Sequence, residues 1–358
     1  MPIPTEPIGS IPRPPELLAA MRAHAAGSMS DESLHAAQES ALKSTILRLE
    51  ETGCSAITDG EQTKPSFATY PLVGLQNLAS DGVTIPFADG DTRQLPRLTE
   101  GPFRYGVHAA TYLKAAQRYT QHPLKQAVIS ASALSLLYPA SGLTGYSRDH
   151  FLEDLIEEAA RDIRECLEAG AASVQIDFTE ARLSLKLDPS GALLNSFVEI
   201  NNRVLEQFSD EERNRIGVHT CPGGDQDSTH SADVDYTALL PALFRMDVGR
   251  FYVQLASEGD RKRVLTTIRA LLKPEQMFFA GVIDPINPKV ESPETVRDRL
   301  LEAAEFIPLE MLGTTDDCGF SPFADDTSTS RDTAFAKIRS RVEGTALASE
   351  ILGLKLAG

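Results

Sequence analysis

Hydrophobic and polar positions follow two alternating patterns in the second half of the chain. In RDHFLEDLIEEAARDIRECLEAG, residues 148–170, apolar side chains recur at helical spacing, and Gly170 marks a helix end. The next segment, ASVQIDF, is a short apolar run of the kind that forms a buried strand. The alternation continues to TAFAKIRSRVEGTALASEIL, which predicts a terminal helix. The pattern therefore indicates an α/β protein.

Eight short strands are predicted when the less regular first half is included. In chain order they are PIGS, SAITD, KQAVIS, SVQID, RIGVHT, RFYVQL, MFFAGV and EMLGTT. Eight strands that alternate with helices predict a closed (β/α)8 barrel, the TIM barrel. The alternative is an open doubly wound sheet, but no GxGxxG motif follows the first strand. We therefore expect residues 1–358 to form a single barrel.

Residues 62–124 interrupt this alternation. They are rich in proline, glycine and aspartate, which favour turns and loops over regular elements. A hairpin and a helix near HAATYLKAAQRY are the elements that we predict within them. We expect this segment to be an insertion after the second strand of the barrel.

Composition and charge narrow the classes of function. A formal net charge of −17 over 358 residues argues against nucleic acid as the main partner, because phosphate binding requires a basic surface. No apolar run approaches the ~20 residues that span a bilayer, so we predict no membrane segment. The four cysteines are widely separated and do not resemble a secreted disulfide framework, which favours the reducing cytoplasm.

Reactive or polar side chains follow nearly every predicted strand. They are Ser10, Asp59, Glu61, Asp177, His219, Cys221, Gln254, Glu258, Asp284, Asp316, Asp317 and Cys318. In a (β/α)8 barrel the carboxyl ends of the strands meet on one face, where the active site forms. Structural roles are the alternative for some of them: Asp59 and Asp284 are candidate helix caps, and Glu258 is a candidate surface residue.

The segment RIGVHTC places two metal-binding side chains at one strand end. His219 and Cys221 are separated by one residue, so in a strand they point to the same side. With Cys318 at another strand end they form a donor set that zinc accepts, with a fourth position open for substrate. From spacing alone, a Cys221–Cys318 disulfide and a cysteine nucleophile assisted by His219 remain as alternatives.

Six motifs together resemble one known family. In chain order they are IGSIPRP, ITDGEQTK, VQIDFTEAR, VHTC, GVID and DDCG, each at a predicted strand end. They are similar to the motifs of the catalytic domain of cobalamin-independent methionine synthase, a zinc-dependent methyltransferase on a (β/α)8 barrel. We expect a short, single-barrel member of the superfamily that also contains uroporphyrinogen decarboxylase.

The resemblance implies a bound zinc ion with three ligands from this chain: His219, Cys221 and Cys318. The family's fourth ligand, a glutamate on the sixth strand, has no direct counterpart, because this strand carries Gln254 and Leu255. Glu258 lies a few residues further on, and it is the candidate replacement if the loop folds back.

The resemblance also implies where an amino-acid thiol binds. Ser10 and Glu61 fall at positions that hold this substrate, and Asp177 falls where its ammonium group is bound. Carboxylates suit an ammonium group because they accept charge-assisted hydrogen bonds. The predicted catalytic carboxylates are Glu61, Asp177 and Asp284, the last of which ends the GVID motif.

The activity implied is zinc-dependent transfer of a methyl or small alkyl group to or from a thiol such as homocysteine, as in methionine biosynthesis. Zinc lowers the pKa of a bound thiol and makes a thiolate available at neutral pH. A folate, a methyl corrinoid protein or another activated alkyl group is the expected donor. Ile286 stands where the family has a histidine, and the chain has no tryptophan to hold a pterin, which favours a donor other than folate.

Other functions stay open from the sequence. An epoxide-opening, coenzyme M-type alkyltransferase needs cations for the sulfonate, and Arg13, Lys64 and Arg182 are candidates. A uroporphyrinogen decarboxylase-like lyase uses aspartates without a metal. A non-catalytic zinc site built on Cys221 and Cys318 would have all four coordination positions filled. The oligomeric state is also open, with a homodimer as a common state of such barrels.

Overall fold

Strands and helices alternate over residues 2–354, which are the residues that this computed structural model describes. The strands are β1 (Leu78–Ala79), β2 (Thr84–Pro86), β3 (Thr92–Gln94), β4 (Arg97–Leu98), β5 (Lys125–Ile129), β6 (Ser173–Asp177), β7 (Ile216–Thr220), β8 (Gly224–Asp225), β9 (Ser228–Thr229), β10 (Arg250–Val253), β11 (Met277–Ile283) and β12 (Leu312–Asp316). The α-helices are α1 (Pro15–Ala25), α2 (Asp31–Glu50), α3 (Ala110–Gln117), α4 (Ala131–Leu134), α5 (Arg148–Glu168), α6 (Glu180–Leu187), α7 (Ala192–Leu205), α8 (Asp210–Arg213), α9 (Tyr236–Leu243), α10 (Arg261–Leu271), α11 (Pro293–Ala304) and α12 (Arg331–Ile351). Within this range, no helix has the length and apolarity needed to cross a membrane.

Six of these strands form one parallel sheet in the spatial order β12-β11-β10-β7-β6-β5. Two further segments close this sheet into a barrel through isolated parallel bridges. Thr5 pairs with Thr314 of β12, and Ile57 pairs with Leu124, directly before β5. The backbone N–H of Ser55 donates to the carbonyl oxygen of Thr5 over 2.9 Å and joins the two segments to each other. The predicted (β/α)8 barrel is therefore confirmed.

The first barrel strand differs in position from the prediction. The sequence predicts it at PIGS, but its ladder contact lies just upstream. Proline explains the difference, because Pro4 and Pro7 have no N–H to donate and limit the ladder to the residues between them. The Glu6 N–H donates to the Thr314 carbonyl over 3.0 Å, and the Thr314 N–H donates to the Pro4 carbonyl over 2.9 Å. The barrel is therefore closed by a short contact instead of a full strand.

Helix α5 shows how the sequence pattern becomes packing. Its N-terminus is capped by Ser147, whose hydroxyl oxygen accepts from the His150 N–H over 3.2 Å. Phe151, Leu155 and Ile163 are buried, as their helical spacing predicts, and the helix packs on β5 and β6. These strands are buried along their whole length, because helices cover one face and the barrel interior covers the other.

Residues 62–124 contain the predicted hairpin and helix. Strands β2 and β3 form the hairpin, β1 and β4 form a second antiparallel pair, and α3 follows them. The hairpin reaches the loop after β7, where the Ala88 N–H donates to the Thr229 carbonyl over 3.0 Å. The segment therefore extends over the face at which the barrel strands end.

A buried ion pair stabilises the closure of the barrel. Arg341 of α12 is fully buried, and its guanidinium contacts the carboxylate of Asp316 at the end of β12. Its Nε donates to Oγ1 of Thr5 over 2.9 Å, and its Nη2 donates to Sγ of Cys54 over 3.2 Å. Burial raises the pKa of Asp316, and the charge of Arg341 opposes that shift. Arg341 thus links the last barrel strand to the first and second segments.

Replacement of Arg341 by leucine leaves the Asp316 carboxylate buried without its cation. We expect the free energy of unfolding to fall by about 3–5 kcal/mol, the cost typical of breaking a buried pair from one side. Urea denaturation measures the change. Arg339→Leu is the matched control, because Arg339 is exposed on the same helix, and its effect should stay within about 0.5 kcal/mol. Equal effects of the two variants would contradict the role of the ion pair.

Candidate metal and substrate site

Three metal-binding side chains meet at the carboxyl ends of two barrel strands. His219 lies in β7, Cys221 comes directly after this strand, and Cys318 follows β12. One ligand atom from each residue lies within 4.8 Å of the others, and the two Sγ atoms are 3.0 Å apart. All three side chains are buried, and both cysteines are free thiols. The structure therefore brings the three predicted ligands together without a disulfide.

The surroundings of His219 leave one imidazole nitrogen available to a metal. Its Nδ1 lies 3.3 Å from the carbonyl oxygen of Tyr252, which accepts a hydrogen bond in the tautomer that carries the proton on Nδ1. Its Nε2 is buried and has no hydrogen-bond partner among residues 2–354. A buried polar atom without a partner is costly, and metal ligation would satisfy it. One imidazole and two thiols form a donor set that zinc prefers, so these residues fit a zinc ion.

Cys318 is the more readily ionised of the two thiols. The hydrogen bond with Cys221, together with His219, holds the pKa of Cys318 well below its usual range, although burial opposes this. The same contact, followed by burial, raises the pKa of Cys221. Cysteine binds metals as the thiolate. The geometry of the pair therefore favours one thiolate even without a metal.

The loop after β7 is folded tightly around Cys221. Gly223 has a φ of +71°, and a Cβ at this position would lie 1.7 Å from Nε2 of His230. Glycine is required here, because both the backbone conformation and the space exclude a side chain. The Gly223 N–H donates to Sγ of Cys221 over 3.4 Å. The Pro-Gly-Gly turn that follows the HTC segment thus holds the first cysteine in place.

A cleft beside the ligands contains the predicted substrate residues. It encloses about 360 Å³ of empty space, counted with its open mouth. Its lining includes Ser10, Glu61, Phe67, Asp177, Thr179 and Cys318. The structure therefore brings the three predicted substrate-binding side chains together, next to the metal-binding group.

Glu61 is a buried carboxyl group that lies close to both a cation and other acids. Its Oε1 accepts from Nζ of Lys64 over 3.0 Å. Burial raises the pKa of Glu61 to about 7, Lys64 opposes this, and Asp177 adds to it. Burial lowers the pKa of Lys64, but the carboxylates of Glu61 and Asp59 outweigh it, so the pKa of Lys64 is raised overall. Lys64 therefore stays charged, whereas Glu61 exchanges its proton near neutral pH.

Asp177 ends β6 and is held by a chain of hydrogen bonds inside the barrel. Its Oδ1 accepts from Nε2 of Gln175 over 2.7 Å, and Oε1 of Gln175 accepts from Nζ of Lys125 over 2.8 Å. Burial raises the pKa of Asp177, and His219 opposes this shift. Asp177 and Glu61 together make the cleft acidic, which suits a cationic ammonium group.

Glu258 and Asp284 take part in other contacts. Oε1 of Glu258 accepts from Nη1 of Arg182 and from Nε2 of Gln254, both over 2.8 Å. It does not belong to the metal-binding group, which within residues 2–354 consists of one histidine and two cysteines. Oδ1 of Asp284 accepts from the backbone N–H of Ile286 over 3.1 Å and stabilises the turn after β11. Neither carboxylate lines the cleft.

The three cations considered for a sulfonate group already have acceptors. Arg13 donates to the backbone carbonyls of Glu61 and Lys64, each over 2.8 Å. Lys64 also pairs with the carboxylate of Glu61, and Arg182 pairs with Glu258. A sulfonate at any of them would have to displace these contacts.

Several residues around the site have roles that the sequence does not indicate. Phe67 and Pro322 line the cleft but belong to loop segments without a periodic pattern. Thr179 lies within the segment VQIDFTEAR, but nothing in that segment marks Thr179 as a residue of the site. Asp317 accepts from backbone N–H groups of the loop after β10, with the Ala256 N–H at 2.9 Å. The DDCG motif indicates the cysteine and gives no sign that the preceding aspartate fixes a different loop.

Comparison with known proteins gives a family match over nearly the whole chain. The family model described as "Cobalamin-independent synthase, Catalytic domain" matches residues 3–343. A protein named methionine synthase from Sulfurisphaera tokodaii is 24% identical over 352 residues, which cover 98% of this chain and 94% of that protein. A 5-methyltetrahydropteroyltriglutamate–homocysteine methyltransferase from Acidithiobacillus ferrooxidans is 23% identical over 88% of this chain, but the match covers only 38% of that longer protein.

Solved structures share the fold. A B12-independent methionine synthase from Shewanella, in complex with selenomethionine, matches 99% of this chain and 100% of its own with a TM-score of 0.75 at 18% identity. A structure described as a putative vitamin-B12-independent methionine synthase from Listeria monocytogenes matches 95% of this chain and 96% of its own with a TM-score of 0.72 at 19% identity. At these identities the similarity supports the barrel fold and nothing finer.

A second buried carboxyl group lies near the strand ends but outside the cleft. Oε1 of Glu180, at the start of α6, accepts from the hydroxyls of Ser130 and Ser132. Burial raises the pKa of Glu180 to about 7, although these two hydroxyls lower it. The folded protein therefore retains a proton on Glu180 at pH values where the unfolded chain has lost it.

This difference makes stability depend on pH in a defined direction. Because the folded pKa lies above the ordinary value of 4.5, the stabilisation is complete below pH 4.5 and disappears as the pH rises through about 7. Relative to Glu180→Gln, which keeps an oxygen acceptor, the wild type should lose about 3 kcal/mol between pH 4.5 and 8. Denaturation across this range measures the difference. Glu206→Gln, at an exposed position, is the control, and parallel pH profiles for wild type and Glu180→Gln would contradict the expectation.

Proposed function

The chain belongs to the family of cobalamin-independent synthase catalytic domains, and from this premise we propose that it is a zinc-dependent methyltransferase that acts on the thiol of homocysteine. The observation that carries the proposal is the group of one imidazole and two thiols at the strand ends, next to an acidic cleft. The names of the relatives from Sulfurisphaera and Acidithiobacillus support the same reaction.

His219, Cys221 and Cys318 would hold the zinc ion. When bound, zinc would supply Lewis acidity that lowers the pKa of a thiol and makes it a nucleophile at neutral pH. The contact of His219 with the Tyr252 carbonyl keeps the imidazole in the tautomer that ligation requires. The Gly223 N–H donates to Sγ of Cys221 and holds this side chain in place. The chain's own contribution is thus a set of ligands oriented in advance.

The acidic cleft would bind the amino-acid end of the substrate. Asp177 and Glu61 would accept hydrogen bonds from the ammonium group, and Ser10 lies in the same lining. Gln175 holds the Asp177 carboxylate in one orientation, so the ammonium group would be fixed relative to the metal-binding residues. Positioning of this kind is a large part of catalysis, because the reacting atoms meet without a further loss of freedom.

Two methyl donors are candidates for the proposed reaction. The Acidithiobacillus relative is named for a methyltetrahydropteroyltriglutamate donor, so this pterin is the first donor to assay. A methyl corrinoid is the second, because the chain has Ile286 after GVID and no tryptophan.

We also propose that residues 1–358 act as one barrel with residues 62–124 as an insertion, and that the free thiols function in the reducing cytoplasm.

The alternatives have less support. A coenzyme M-type reaction needs a cation for the sulfonate, and Arg13, Lys64 and Arg182 are each engaged with oxygen acceptors. A metal-independent lyase gives no reason for a buried Nε2 of His219 without a hydrogen-bond partner beside two thiols. A zinc site that only stabilises the fold would need a fourth protein ligand, and Glu258 is held by Arg182.

Metal content tests the ligand set. We expect about one zinc per wild-type chain and little or none in Cys221→Ser or Cys318→Ser, because a serine hydroxyl is a poor replacement for a thiolate ligand. Cys166→Ser is the matched control, because Cys166 is also buried but lies in α5, away from the site. Elemental analysis of the purified proteins and a thermal unfolding curve for each complete the experiment. Folded wild-type protein without zinc, after reconstitution with excess Zn²⁺, would overturn the proposal.

Replacement of Asp177 by asparagine tests the substrate side. The amide removes the negative charge while keeping the size, so kcat/KM for homocysteine should fall about 10–100-fold, mainly through KM. Zinc content should remain that of the wild type, because Asp177 is not in the metal-binding group. Steady-state kinetics with homocysteine, together with metal analysis, checks both statements. An unchanged KM would show that the ammonium group binds elsewhere.

A further inference from the structure

One arginine from the insertion joins the two loops that carry the cysteines. Here the Cys221 loop is residues 221–230 and the Cys318 loop is residues 318–326. Arg93 of β3 donates from Nη2 to Oδ1 of Asp225 over 3.0 Å, and from Nη1 to Oδ2 of Asp325 over 2.9 Å. Asp225 belongs to the Cys221 loop and Asp325 to the Cys318 loop. The guanidinium also lies 4.2 Å from the ring centroid of Phe323, in the Cys318 loop.

From these contacts we propose that Arg93 is a positioning residue that sets the separation of Cys221 and Cys318 and thereby the affinity and geometry of the metal site. Its two ion pairs are the only salt bridges that connect the two loops within residues 2–354. Arg93 has this role toward the metal only if the chain binds zinc as proposed above. A planar guanidinium is suited to it, because its fork of N–H groups can engage two carboxylates at once.

The rest of the hairpin supports the Cys221 loop. The Ala88 N–H donates to the Thr229 carbonyl over 3.0 Å, and the Asp89 N–H donates to Oγ of Ser228 over 3.3 Å. Phe87 packs edge-on against His230, with 5.6 Å between the ring centroids. The ring of His230 in turn fills the space above Gly223, two residues after Cys221. The insertion is therefore connected to the first cysteine through a continuous series of contacts.

The Cys221 loop needs this support because its turn is strained. Gln226 and Asp227 have φ of +44° and +63°, in the left-handed region that residues other than glycine rarely adopt. Each such residue costs free energy and persists only where the surroundings enforce it. Asp225, directly before them, is the residue that Arg93 binds. The ion pair therefore acts directly before the two turn residues that have positive φ.

The Cys318 loop is fixed by the insertion in a similar way. The Phe67 N–H donates to the Pro322 carbonyl over 3.0 Å, and the Ala324 N–H donates to the Pro65 carbonyl over 3.1 Å. These bonds hold the middle of the loop, and Arg93 holds Asp325 near its end. Both cysteine loops are thus attached to one segment, which explains why the two sulfur atoms can keep a fixed separation although they belong to distant parts of the chain.

The test compares Arg93→Met with Arg97→Met. Arg97 belongs to the same insertion and pairs with Asp81, away from the cysteine loops, so its variant controls for loss of a charge in this segment. Zinc affinity is measured by competition with a chromophoric chelator, and the visible spectrum of the Co²⁺-substituted protein reports ligand geometry. We expect Arg93→Met to bind zinc several-fold more weakly and to change the Co²⁺ spectrum, because the two loops that carry the cysteines lose the residue that joins them. Arg97→Met should stay within about twofold of the wild type.

Two further variants keep the result interpretable. Asp325→Asn removes one arm of the contact at a largely exposed carboxylate, where little risk to folding exists, and it should give a smaller weakening in the same direction. Arg93→Lys keeps the charge without the fork and should restore affinity only in part. Wild-type zinc affinity and an unchanged Co²⁺ spectrum in folded Arg93→Met would overturn the proposal.

The outcome can be separated from that of the proposed function. If the wild type binds no zinc, the proposed function fails, and the role of Arg93 is then judged on the metal-free protein. In that case the alkylation rates of Cys221 and Cys318, followed by mass spectrometry, should rise several-fold in Arg93→Met but not in Arg97→Met. Equal rates in wild type and Arg93→Met would overturn the positioning role itself.

Discussion

Closure of the parallel barrel is the constraint on which the whole site depends. Cys221 and Cys318 are 97 residues apart in the chain, yet their sulfur atoms are 3.0 Å apart. Parallel strands place all their carboxyl ends on one face, and residues that follow β7 and β12, three strands apart in the sheet, meet because the sheet curves into a closed barrel. The bridge at Thr5 and the buried contacts of Arg341 provide this closure where proline limits the first strand. A substitution at these positions would therefore disturb the metal-binding group although it contacts none of the three ligands.

The periodicity of the sequence predicted the fold, and the family resemblance selected Ser10, Glu61 and Asp177, whereas other residues of the cleft lining, such as Phe67 and Pro322, had no sequence signal. A position at a strand end predicts proximity in a barrel, and by this rule His219, Cys221 and Cys318 were expected to lie close together. The rule fails to distinguish ends that face the cleft from ends that stabilise turns, which is why Asp284 was grouped with Glu61 and Asp177. Partners distant in sequence decide such cases, and no local pattern contains them.

Residues 62–124 were the least predictable part of the site. The hairpin and helix in this segment are visible in the sequence, but their contacts with the strand-end loops are not. Arg93 has no motif around it, and its partners lie 132 and 232 residues further along the chain. Glu258 is a second residue whose role depends on a partner that is distant in the sequence. It was considered as a ligand from its position, whereas the structure pairs it with the buried Arg182, which the spacing alone could not indicate.

The protonation of Glu61 has a consequence for ligand recognition. Because its pKa lies at about 7, an empty cleft near neutral pH is a mixture of protonated and ionised forms. A cationic group that enters the cleft favours the ionised form, so binding releases a fraction of a proton to solvent. Apparent affinity for such a ligand would rise as the pH increases through 7 and level off above it. The burial of one carboxyl group beside Lys64 thus couples occupancy of the cleft to the acidity of its surroundings.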